Sequence, residues 1–184
     1  YNFNSFYLSI NYKSKILKAY FEEMKRSYKI NFIEENKPLG TAGSLKLLSK
    51  KNARKTIIVT NCDIIININF HKFLQFHKEN KNDISFLVFS KKFAIPYGIC
   101  DFNKFGNFLD IKEKQSYNFI VNAGMYILSP KVIELIPENK NYHMTDLIKK
   151  AKLNNFRIAV YPIDEDLWVD VGQWNEYKNA VAKL

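Results

Sequence analysis

The chain has 184 residues, 47% of them hydrophobic, which predicts a folded domain with a substantial core and excludes a disordered chain. Its formal net charge of +10 comes from 25 Lys and only 3 Arg, and these basic residues are spread along the whole chain. Because base readout and bidentate phosphate binding favour clustered Arg, we assign the charge to solvated faces and expect no nucleic-acid partner.

Hydrophobic periodicity predicts strands and helices that alternate along most of the chain. In chain order, the predicted elements are a strand at 6–10, a helix that follows Ser14 and runs through Met24, a strand at 30–33, a helix from Thr41 or Ser44 to Leu48, a strand at 56–60, a helix at 70–78, a strand at 84–89, paired strands at 97–102 and 107–111 around a turn at 103–106, a strand at 123–128, helices at 132–135 and 144–152, a strand at 158–162 and a helix at 173–183. Such alternation is typical of an α/β fold with a mostly parallel sheet, and the paired strands form a small β-rich insertion. The near-continuous apolar strand at 56–60 is of the kind found in the centre of a sheet. We predict a single domain over residues 1–184.

Two carboxylates follow apolar, strand-like runs: Asp63 comes after the strand at 56–60, and Asp170 comes after Trp168-Val169. Open α/β sheets bind their ligands beyond the carboxyl ends of the strands, which is where both aspartates are predicted to lie. Oxygen donors that leave room for water and for substrate phosphates suit Mg²⁺. The pair therefore predicts a magnesium site, with turn or helix-capping aspartates as the alternative.

Small residues recur at places where a ligand would contact the backbone. Leu39-Gly40-Thr41-Ala42-Gly43 precedes a predicted helix, so its amides and glycines are candidates for ligand contact. Gly98, Asn122 and Gly124 have the same potential, with turn or bulge glycines as the alternative. Glu113-Lys114 ends the β-rich insertion and offers a hydroxyl acceptor beside a phosphate-binding ammonium, or else a solvated charge pair.

Other chemistries lack the residues that they need. Three histidines, His71, His77 and His143, form no H-x-x-x-H pattern and no ligand set with Cys62 and Cys100, so neither a zinc site nor a disulfide framework is predicted. The sequence contains no G-x-S-x-G elbow, P-loop or G-x-G-x-x-G motif. No apolar run approaches the ~20 residues that span a bilayer, and no signal pattern opens the chain, so we expect a cytoplasmic protein without a membrane partner.

Six short motifs follow one another along essentially the whole chain. They are Glu34-Glu35-x-x-Pro38-Leu39-Gly40-Thr41-Ala42-Gly43, Asn61-Cys62-Asp63, Pro96-Tyr97-Gly98, Ile111-Lys112-Glu113-Lys114, Val121-Asn122-Ala123-Gly124 and Trp168-Val169-Asp170-Val171-Gly172. In this order they resemble the sugar-phosphate nucleotidyltransferases, and within that family the bacterial enzymes that are similar to mannose-1-phosphate guanylyltransferase.

The resemblance implies a Rossmann-like, GT-A-like sheet and a β-rich part that binds sugar. The implied reaction is that of an NTP, with a guanine nucleotide favoured, and a sugar 1-phosphate, which give an NDP-sugar and pyrophosphate. The resemblance implies roles for eleven residues. Asp63 and Asp170 would hold Mg²⁺, and together with Lys114, which would contact the sugar phosphate, they would be the catalytic residues. The nucleotide would be bound by Asp63, Leu39, Gly40, Thr41 and Gly43, and the hexose by Gly98, Glu113, Asn122 and Gly124.

The chain departs from the family at Cys62, where Gly usually precedes the metal-binding Asp, and at Gln115, where Pro commonly follows Glu-Lys. The family's opening strand and Gly-rich loop have no counterpart before Tyr1, so we expect a preceding segment to be missing. A chain without that loop is expected to bind its ligands without appreciable turnover, and its open sheet edges are expected to favour a homo-oligomer. A non-catalytic sugar-nucleotide-binding module stays an alternative, followed by a metal-dependent glycosyltransferase, which usually carries the D-x-D motif that this chain lacks.

Overall fold

The structure is a computed structural model that describes residues 3–48, 55–172 and 178. Its strands are β1 (Ser5–Ile10), β2 (Lys29–Glu34), β3 (Ile57–Thr60), β4 (Ile64–Ile66), β5 (Ile84–Ala94), β6 (Ile99–Phe102), β7 (Phe108–Lys112), β8 (Ser116–Leu128), β9 (Ile158–Pro162) and β10 (Trp168–Asp170). Its helices are α1 (Ser14–Glu23), α2 (Gly40–Gly43), α3 (Phe70–Glu79), α4 (Pro130–Glu134) and α5 (Met144–Leu153), with 3₁₀ turns at Ser44–Leu47 and Glu165–Leu167. The predicted helix at 173–183 lies outside the described residues except at position 178.

Local sequence explains where the helices begin and which side they bury. In α5, Met144, Leu147 and Ala151 are buried at i, i+3 and i+7, so one stripe of the helix faces the core. His143 and Asp146 form a reciprocal capping box at its start, which satisfies amides that the first turn leaves unpaired. Within the described part of the chain, no helix combines the length and the apolar character needed to cross a membrane.

The helix predicted from Thr41 or Ser44 to Leu48 is shorter than expected. The structure has the four-residue helix α2 followed by the 3₁₀ turn Ser44–Leu47, and the chain becomes extended at Leu48. Glycine at both ends of α2 disfavours a longer helix, because glycine has a high conformational entropy in the unfolded chain.

The described chain divides into two compact units. The first draws on residues up to 62, 69–86 and 125–161, and the second on residues 63–68 and 87–124 and on residues from 162 onward. Strands β5 and β8 each continue from one unit into the other. The single domain predicted from the sequence stays a prediction.

The central sheet is mixed, which corrects the expectation of a mostly parallel one. Strands lie in the order β3-β8-β5-β9, and β3 pairs with β8 in the antiparallel direction. The Ser129 amide donates a hydrogen bond to the Asp83 carbonyl, and the Ile95 amide donates one to the Gln115 carbonyl. These bonds show that β8 is antiparallel to β5 as well. The physical reason is that the chain enters β8 from the β-rich insertion instead of from a crossover helix, which a parallel connection would require.

Strand β3 was predicted to be central, and it lies instead at the end of the described four-stranded sheet. Its first three residues are partly buried, and Thr60 is exposed. Strand β5, also predicted to be central, does lie between β8 and β9, and most of its first half is buried. The β-rich insertion is confirmed, since β6 and β7 pair in the antiparallel direction around the predicted turn. Strands β1 and β2 form a separate parallel pair.

The core of the first unit lies among α4, α5, the start of β5 and the end of β8. Its buried apolar residues are Ala42, Leu45, Ile84, Tyr126, Leu128, Val132, Ile133, Ile136, Met144, Leu147 and Ala151. Burial on this scale contributes roughly 25 cal/mol for each Å² of apolar surface removed from water, so this cluster dominates the stability of the unit.

A buried polar cluster joins α3 to the start of β5. Nδ1 of His77 lies 2.9 Å from the Ser85 hydroxyl, and the Asn82 amide donates to that hydroxyl at 3.1 Å. His77 is 4% exposed and Ser85 is fully buried. Because this histidine and serine are almost completely removed from solvent, their hydrogen bonds connect two elements and offer no nucleophile to a substrate.

We expect the protein to lose stability as the pH falls below about 6.5. The pKa of His77 is lowered mainly because burial disfavours the imidazolium, with Lys78 lowering it further and Asp83 opposing the shift. As the pH falls through the ordinary value of 6.5, the unfolded chain takes up a proton that the folded chain does not accept until its lower pKa is reached. The free energy of unfolding therefore decreases across that window, which urea midpoints at pH values from about 5 to 8 measure.

The matched variant is His77→Gln, which removes the titrating ring and keeps a hydrogen-bonding partner for Ser85. It should flatten the pH dependence between the pKa values of folded and unfolded histidine. Asp83 does not interfere with this comparison. Burial raises the pKa of its carboxyl group, but Lys131, the Arg157 amide and Ser129 lower it by more, so the pKa lies below its ordinary value of 3.8. The stability that Asp83 contributes is therefore lost only below pH 3.8. Equal slopes in wild type and His77→Gln would contradict the assignment.

Candidate functional site

A short antiparallel ribbon in the second unit brings the two predicted metal-binding aspartates together. Strands β4 and β10 pair so that Asp170 lies opposite Ile64, and beyond the last strand pair the Val171 amide donates to the Asp63 carbonyl at 2.8 Å. Asp63 lies in the turn between β3 and β4, just past the end of β3, as the sequence predicts. Two carboxylates that are 107 positions apart in the sequence therefore lie at the same end of this ribbon.

The backbone of Gly172 lies beside the two carboxylates. A Cβ atom added at Gly172 would lie 3.1 Å from Oδ1 of Asp170 and 3.1 Å from Oδ2 of Asp63. Both oxygens are thus equally close to a single point, and they lie no more than about 6 Å apart. The Gly172 amide also donates to Oδ1 of Asp170 at 2.9 Å, which fixes the orientation of that carboxylate.

The donor set suits a hard divalent cation. Asp63 is exposed and Asp170 is partly buried, so both are open to water and substrate. Among the described residues, no further His, Cys, Asp or Glu completes a group of three around a common centre. Two carboxylates alone suit Mg²⁺, which rarely receives a full cage from the protein and keeps positions for water and phosphate oxygens. Cys62, which precedes Asp63, is exposed and free.

An indole anchors the strand that carries Asp170. The Trp168 Nε1 group donates to the Ala123 carbonyl at 2.9 Å, and its ring lies 4.6 Å from the Phe89 ring centroid. The Lys91 ammonium lies 5.9 Å from the centroid of the same indole. These contacts bind β10 to β8 and β5 within the second unit, so Trp168 positions the carboxylate two residues later.

The predicted sugar-binding residues Asn122 and Gly124 form a local irregularity in β8. The Gly124 amide donates to Oδ1 of Asn122 at 3.0 Å, and Gly124 has a φ of +78°. A residue with a side chain is strained in that conformation, so Gly124 is required by the backbone. Ala123 lies between them, and its carbonyl accepts the hydrogen bond from the Trp168 indole. This bond connects the segment to strand β10, which carries Asp170.

Gly98 and Glu113 are brought together in the β-rich insertion. A Cβ atom at Gly98 would lie 2.9 Å from Oε1 of Glu113 and 3.2 Å from Cδ1 of Ile111. Lys114 follows in the turn between β7 and β8 with a φ of +48°. Both Glu113 and Lys114 are exposed, which places a carboxylate and an ammonium side by side at the surface of the second unit.

The loop Leu39–Gly43 in the first unit packs against the segment that leads into α5. The amides of Ala42 and Gly43 both donate to the Tyr142 carbonyl at 3.0 Å, and the Tyr142 amide donates to the Leu39 carbonyl at 2.8 Å. The Thr41 hydroxyl accepts from the Met144 amide at 2.8 Å. The expectation that the amides of Ala42 and Gly43 point at a ligand is therefore wrong, because the protein itself uses them.

The two glycines of this loop are required by the same packing. A Cβ atom at Gly40 would lie 2.8 Å from the Tyr142 carbonyl oxygen, and one at Gly43 would lie 2.8 Å from the Lys140 carbonyl oxygen. The Leu39 amide donates to the Glu35 carboxylate at 2.8 Å, and Leu39 is buried. The role predicted for this loop in nucleotide binding stays a prediction, and its glycines have a structural function regardless of it.

Sequence reasoning missed three residues that organise these sites. The sequence places Gly172 and Trp168 in a motif without a role of their own, and it does not mark Tyr142. The signal for Gly172 and Trp168 was their place on either side of Asp170 in Trp168-Val169-Asp170-Val171-Gly172. No local pattern marks Tyr142, because its partners lie about a hundred positions earlier in the chain.

Comparisons with known proteins agree on one family. The family model described as "Nucleotidyl transferase" matches residues 2–184. Curated relatives include the mannose-1-phosphate guanyltransferase of Pichia angusta, at 28% identity over 95% of this chain and 50% of that protein, and mannose-1-phosphate guanyltransferase 2 of Candida glabrata, at 31% over 92% and 49%. The chain spans about half the length of the curated relatives that it matches. These relatives are fungal, so they do not support the expected bacterial origin.

Solved structures match along nearly the whole chain. Two crystal structures of HddC from Yersinia pseudotuberculosis match with TM-scores of 0.70 and 0.67, both at 25% identity. They cover 98% and 96% of this chain and 78% and 77% of HddC. The second is of HddC complexed with GMP-PN. The predicted α/β, Rossmann-like architecture with its β-rich insertion is confirmed by these matches and by the strands themselves.

Proposed function

Because this chain belongs to the nucleotidyl transferase family, we propose that it joins a nucleoside triphosphate to a sugar 1-phosphate and releases pyrophosphate. The observation that carries the proposal is the pair of carboxylates that the β4–β10 ribbon holds around Gly172. An oxygen of the sugar phosphate forms a bond to the α-phosphorus, and the bond from that phosphorus to the oxygen that leads to the β-phosphate breaks. Pyrophosphate leaves with the electron pair of that bond.

In this reaction Asp63 and Asp170 hold a divalent cation, for which we propose Mg²⁺. When bound, the ion supplies positive charge that neutralises phosphate oxygens and makes the phosphorus more electrophilic. Asp170 is oriented by the Gly172 amide, and its strand is anchored through Trp168, so the carboxylates do not need to rearrange during the reaction. The rate enhancement then comes from positioning and charge neutralisation, without a covalent intermediate on the enzyme.

We propose that the sugar 1-phosphate is bound by residues of the second unit. Glu113 accepts hydrogen bonds from hexose hydroxyls, and the adjacent Lys114 ammonium binds the phosphate as a catalytic residue. Asn122 and Gly124 provide an amide side chain and a backbone that a hexose can approach closely, as does Gly98. Exposure of Glu113 and Lys114 and the contact between Gly98 and Glu113 support this assignment.

For the nucleotide we propose a guanine base held near Leu39, Gly40, Thr41 and Gly43. The support is that the curated relatives are named mannose-1-phosphate guanyltransferases and that HddC was solved with GMP-PN. Since the amides of Ala42 and Gly43 are used inside the protein, ligand contacts would fall to the exposed side of Thr41 and to the segment around it. We also infer a cytoplasmic setting, which suits the two exposed free cysteines.

Gly98→Ala is expected to raise the KM for the sugar 1-phosphate about tenfold with little change in stability. The added methyl group would lie 2.9 Å from Oε1 of Glu113, so it would displace the carboxylate that we assign to the hexose. Because that oxygen ends a flexible side chain, the displacement costs less than about 1 kcal/mol of folding free energy. Steady-state kinetics and a melting curve, both on the full-length gene product, measure the two quantities.

The control for this variant is Glu113→Gln, and the double variant completes the cycle. If Gly98 acts through Glu113, the double variant loses no more affinity than the more severe single variant. Additive effects of the two substitutions would show that Gly98 does not act through Glu113.

The proposed function is tested by pyrophosphate release from each of the four common NTPs with a panel of hexose 1-phosphates and Mg²⁺. The assay is run on this chain and on the full-length product of its gene. Release with GTP and mannose 1-phosphate, at rates well above the other pairs, is the expected result. Absence of release with every pair, together with retained binding of sugar nucleotides, would favour a binding module over a transferase.

A further inference from the structure

We propose that Gly172 is a positioning residue whose lack of a side chain keeps open the space in which the carboxylates of Asp63 and Asp170 share one divalent cation. The inference rests on the proposed function, because it assigns a role within the same cation site. It concerns a residue that lies beside both carboxylates and is not itself a metal ligand.

The geometry singles out Gly172 from the other glycines. Its absent Cβ lies 3.1 Å from an oxygen of each aspartate and 3.3 Å from the Cβ of Asp63. A Cβ atom added at Gly40 or Gly43 would lie closest to a backbone carbonyl oxygen, and one added at Gly106 would have no atom within 4 Å. Of Gly40, Gly43, Gly98, Gly106 and Gly172, only Gly172 has a missing side chain that faces two carboxylates.

A methyl group at this position would occupy the region that a shared cation needs. Two oxygens bound to one Mg²⁺ lie at most about 4 Å apart, because each Mg–O bond is about 2.0–2.1 Å. A carbon atom in contact with both oxygens would hold them apart and would replace polar surroundings with an apolar group. The cost would fall on cation binding, since an apolar group cannot supply the missing ligand or water.

The same substitution is mild for the fold. Contacts of 3.1–3.3 Å require shifts of only a few tenths of an ångström, and they are made with exposed or partly exposed side chains. Gly172 does not have the left-handed conformation that strains other residues, and alanine keeps the amide that donates to Asp170. A general requirement for glycine in the turn would instead lower stability without a specific effect on cations.

The test measures Mn²⁺ binding by electron paramagnetic resonance of the free ion, without substrates and without turnover. The proteins are wild type, Asp63→Asn, Asp170→Asn, Gly172→Ala and Gly172→Ser, together with Gly106→Ala as a glycine variant away from the carboxylates. We expect Gly172→Ala to weaken Mn²⁺ binding at least tenfold and Gly172→Ser to weaken it further. The melting midpoints of both metal-free proteins should stay within about 3 °C of wild type, and Gly106→Ala should bind Mn²⁺ as wild type does.

A double-mutant cycle separates a spacing role from general damage. Once Asp63→Asn has removed one carboxylate, Gly172→Ala should cause little additional loss of Mn²⁺ affinity. If wild type binds Mn²⁺ through both aspartates and the Gly172 variants bind it equally well, the role of Gly172 is overturned while the proposed function stands. If wild type does not bind Mn²⁺, or binds it independently of both aspartates, the cation site in the proposed function is itself wrong.

Discussion

Replacing either Asp63 or Asp170 with asparagine is expected to lower kcat/KM for nucleotidyl transfer by about 10²–10³-fold, since loss of one preorganised electrostatic group typically costs this much. Asparagine keeps the size of the side chain and removes the negative charge that attracts a divalent cation. The ribbon should persist, because its hydrogen bonds between β4 and β10 are made by the backbone. The loss should therefore appear in activity and in cation affinity, with little change in the melting midpoint.

Asp166→Asn is the matched control for these variants. Asp166 is exposed and lies four residues before Asp170, in the 3₁₀ turn that precedes β10. It carries the same charge, and its side chain is not among the atoms nearest to a Cβ at Gly172, which belong to Asp63 and Asp170. Initial rates of the full-length gene product at saturating Mg²⁺ compare the three variants. Wild-type rates in Asp63→Asn or Asp170→Asn would exclude the ribbon as the catalytic cation site.

Gly40→Ala is expected to destabilise the protein by about 3 kcal/mol, the largest effect on stability that we predict. Gly40 has a φ of +75°, in which a residue with a side chain is strained by about 1–2 kcal/mol. The added methyl group would also lie 2.8 Å from the backbone oxygen of Tyr142, which accepts the amides of Ala42 and Gly43. The packing between α2 and the start of α5 would have to open, which weakens the core of the first unit.

The control for this variant is Gly106→Ala, which isolates the cost of backbone conformation. Gly106 has a φ of +82° and no atom within 4 Å of its added Cβ, so alanine there should cost only about 1 kcal/mol. For a chain of this size the two variants should lower the melting midpoint by roughly 6–12 °C and 2–4 °C, respectively. Equal losses in thermal or urea unfolding would show that the contact with Tyr142 contributes nothing beyond the strain.

Most elements could be predicted because their local signals are strong. The spacing of Met144, Leu147 and Ala151 defines the buried face of α5, and the turn at 103–106 between two apolar runs defines the β6–β7 hairpin. The pairing of Asp63 with Asp170 was also predictable, because each follows an apolar strand and the ends of such strands hold ligands in this class of sheet.

The remaining features depend on contacts that are distant in the sequence. The apolar run at 56–60 suits a central strand, and the direction and position of β3 depend on how β8 returns from the insertion. The glycines of the loop at 39–43 suggest ligand contact, and their close approach to Tyr142 becomes visible only when the segment before α5 is placed. Gly172 is similar, since its role depends on a carboxylate that precedes it by 109 positions.

The central claim is tested most directly by following the α-phosphate of GTP. The full-length gene product is incubated with [α-³²P]GTP, mannose 1-phosphate and Mg²⁺, and the labelled products are separated by chromatography. The account predicts that the label appears in a sugar nucleotide, that its appearance requires the sugar phosphate, and that Asp63→Asn slows it by about 10²–10³-fold. Label that stays in GTP, or that appears only in GMP or GDP, would contradict nucleotidyl transfer to a sugar phosphate.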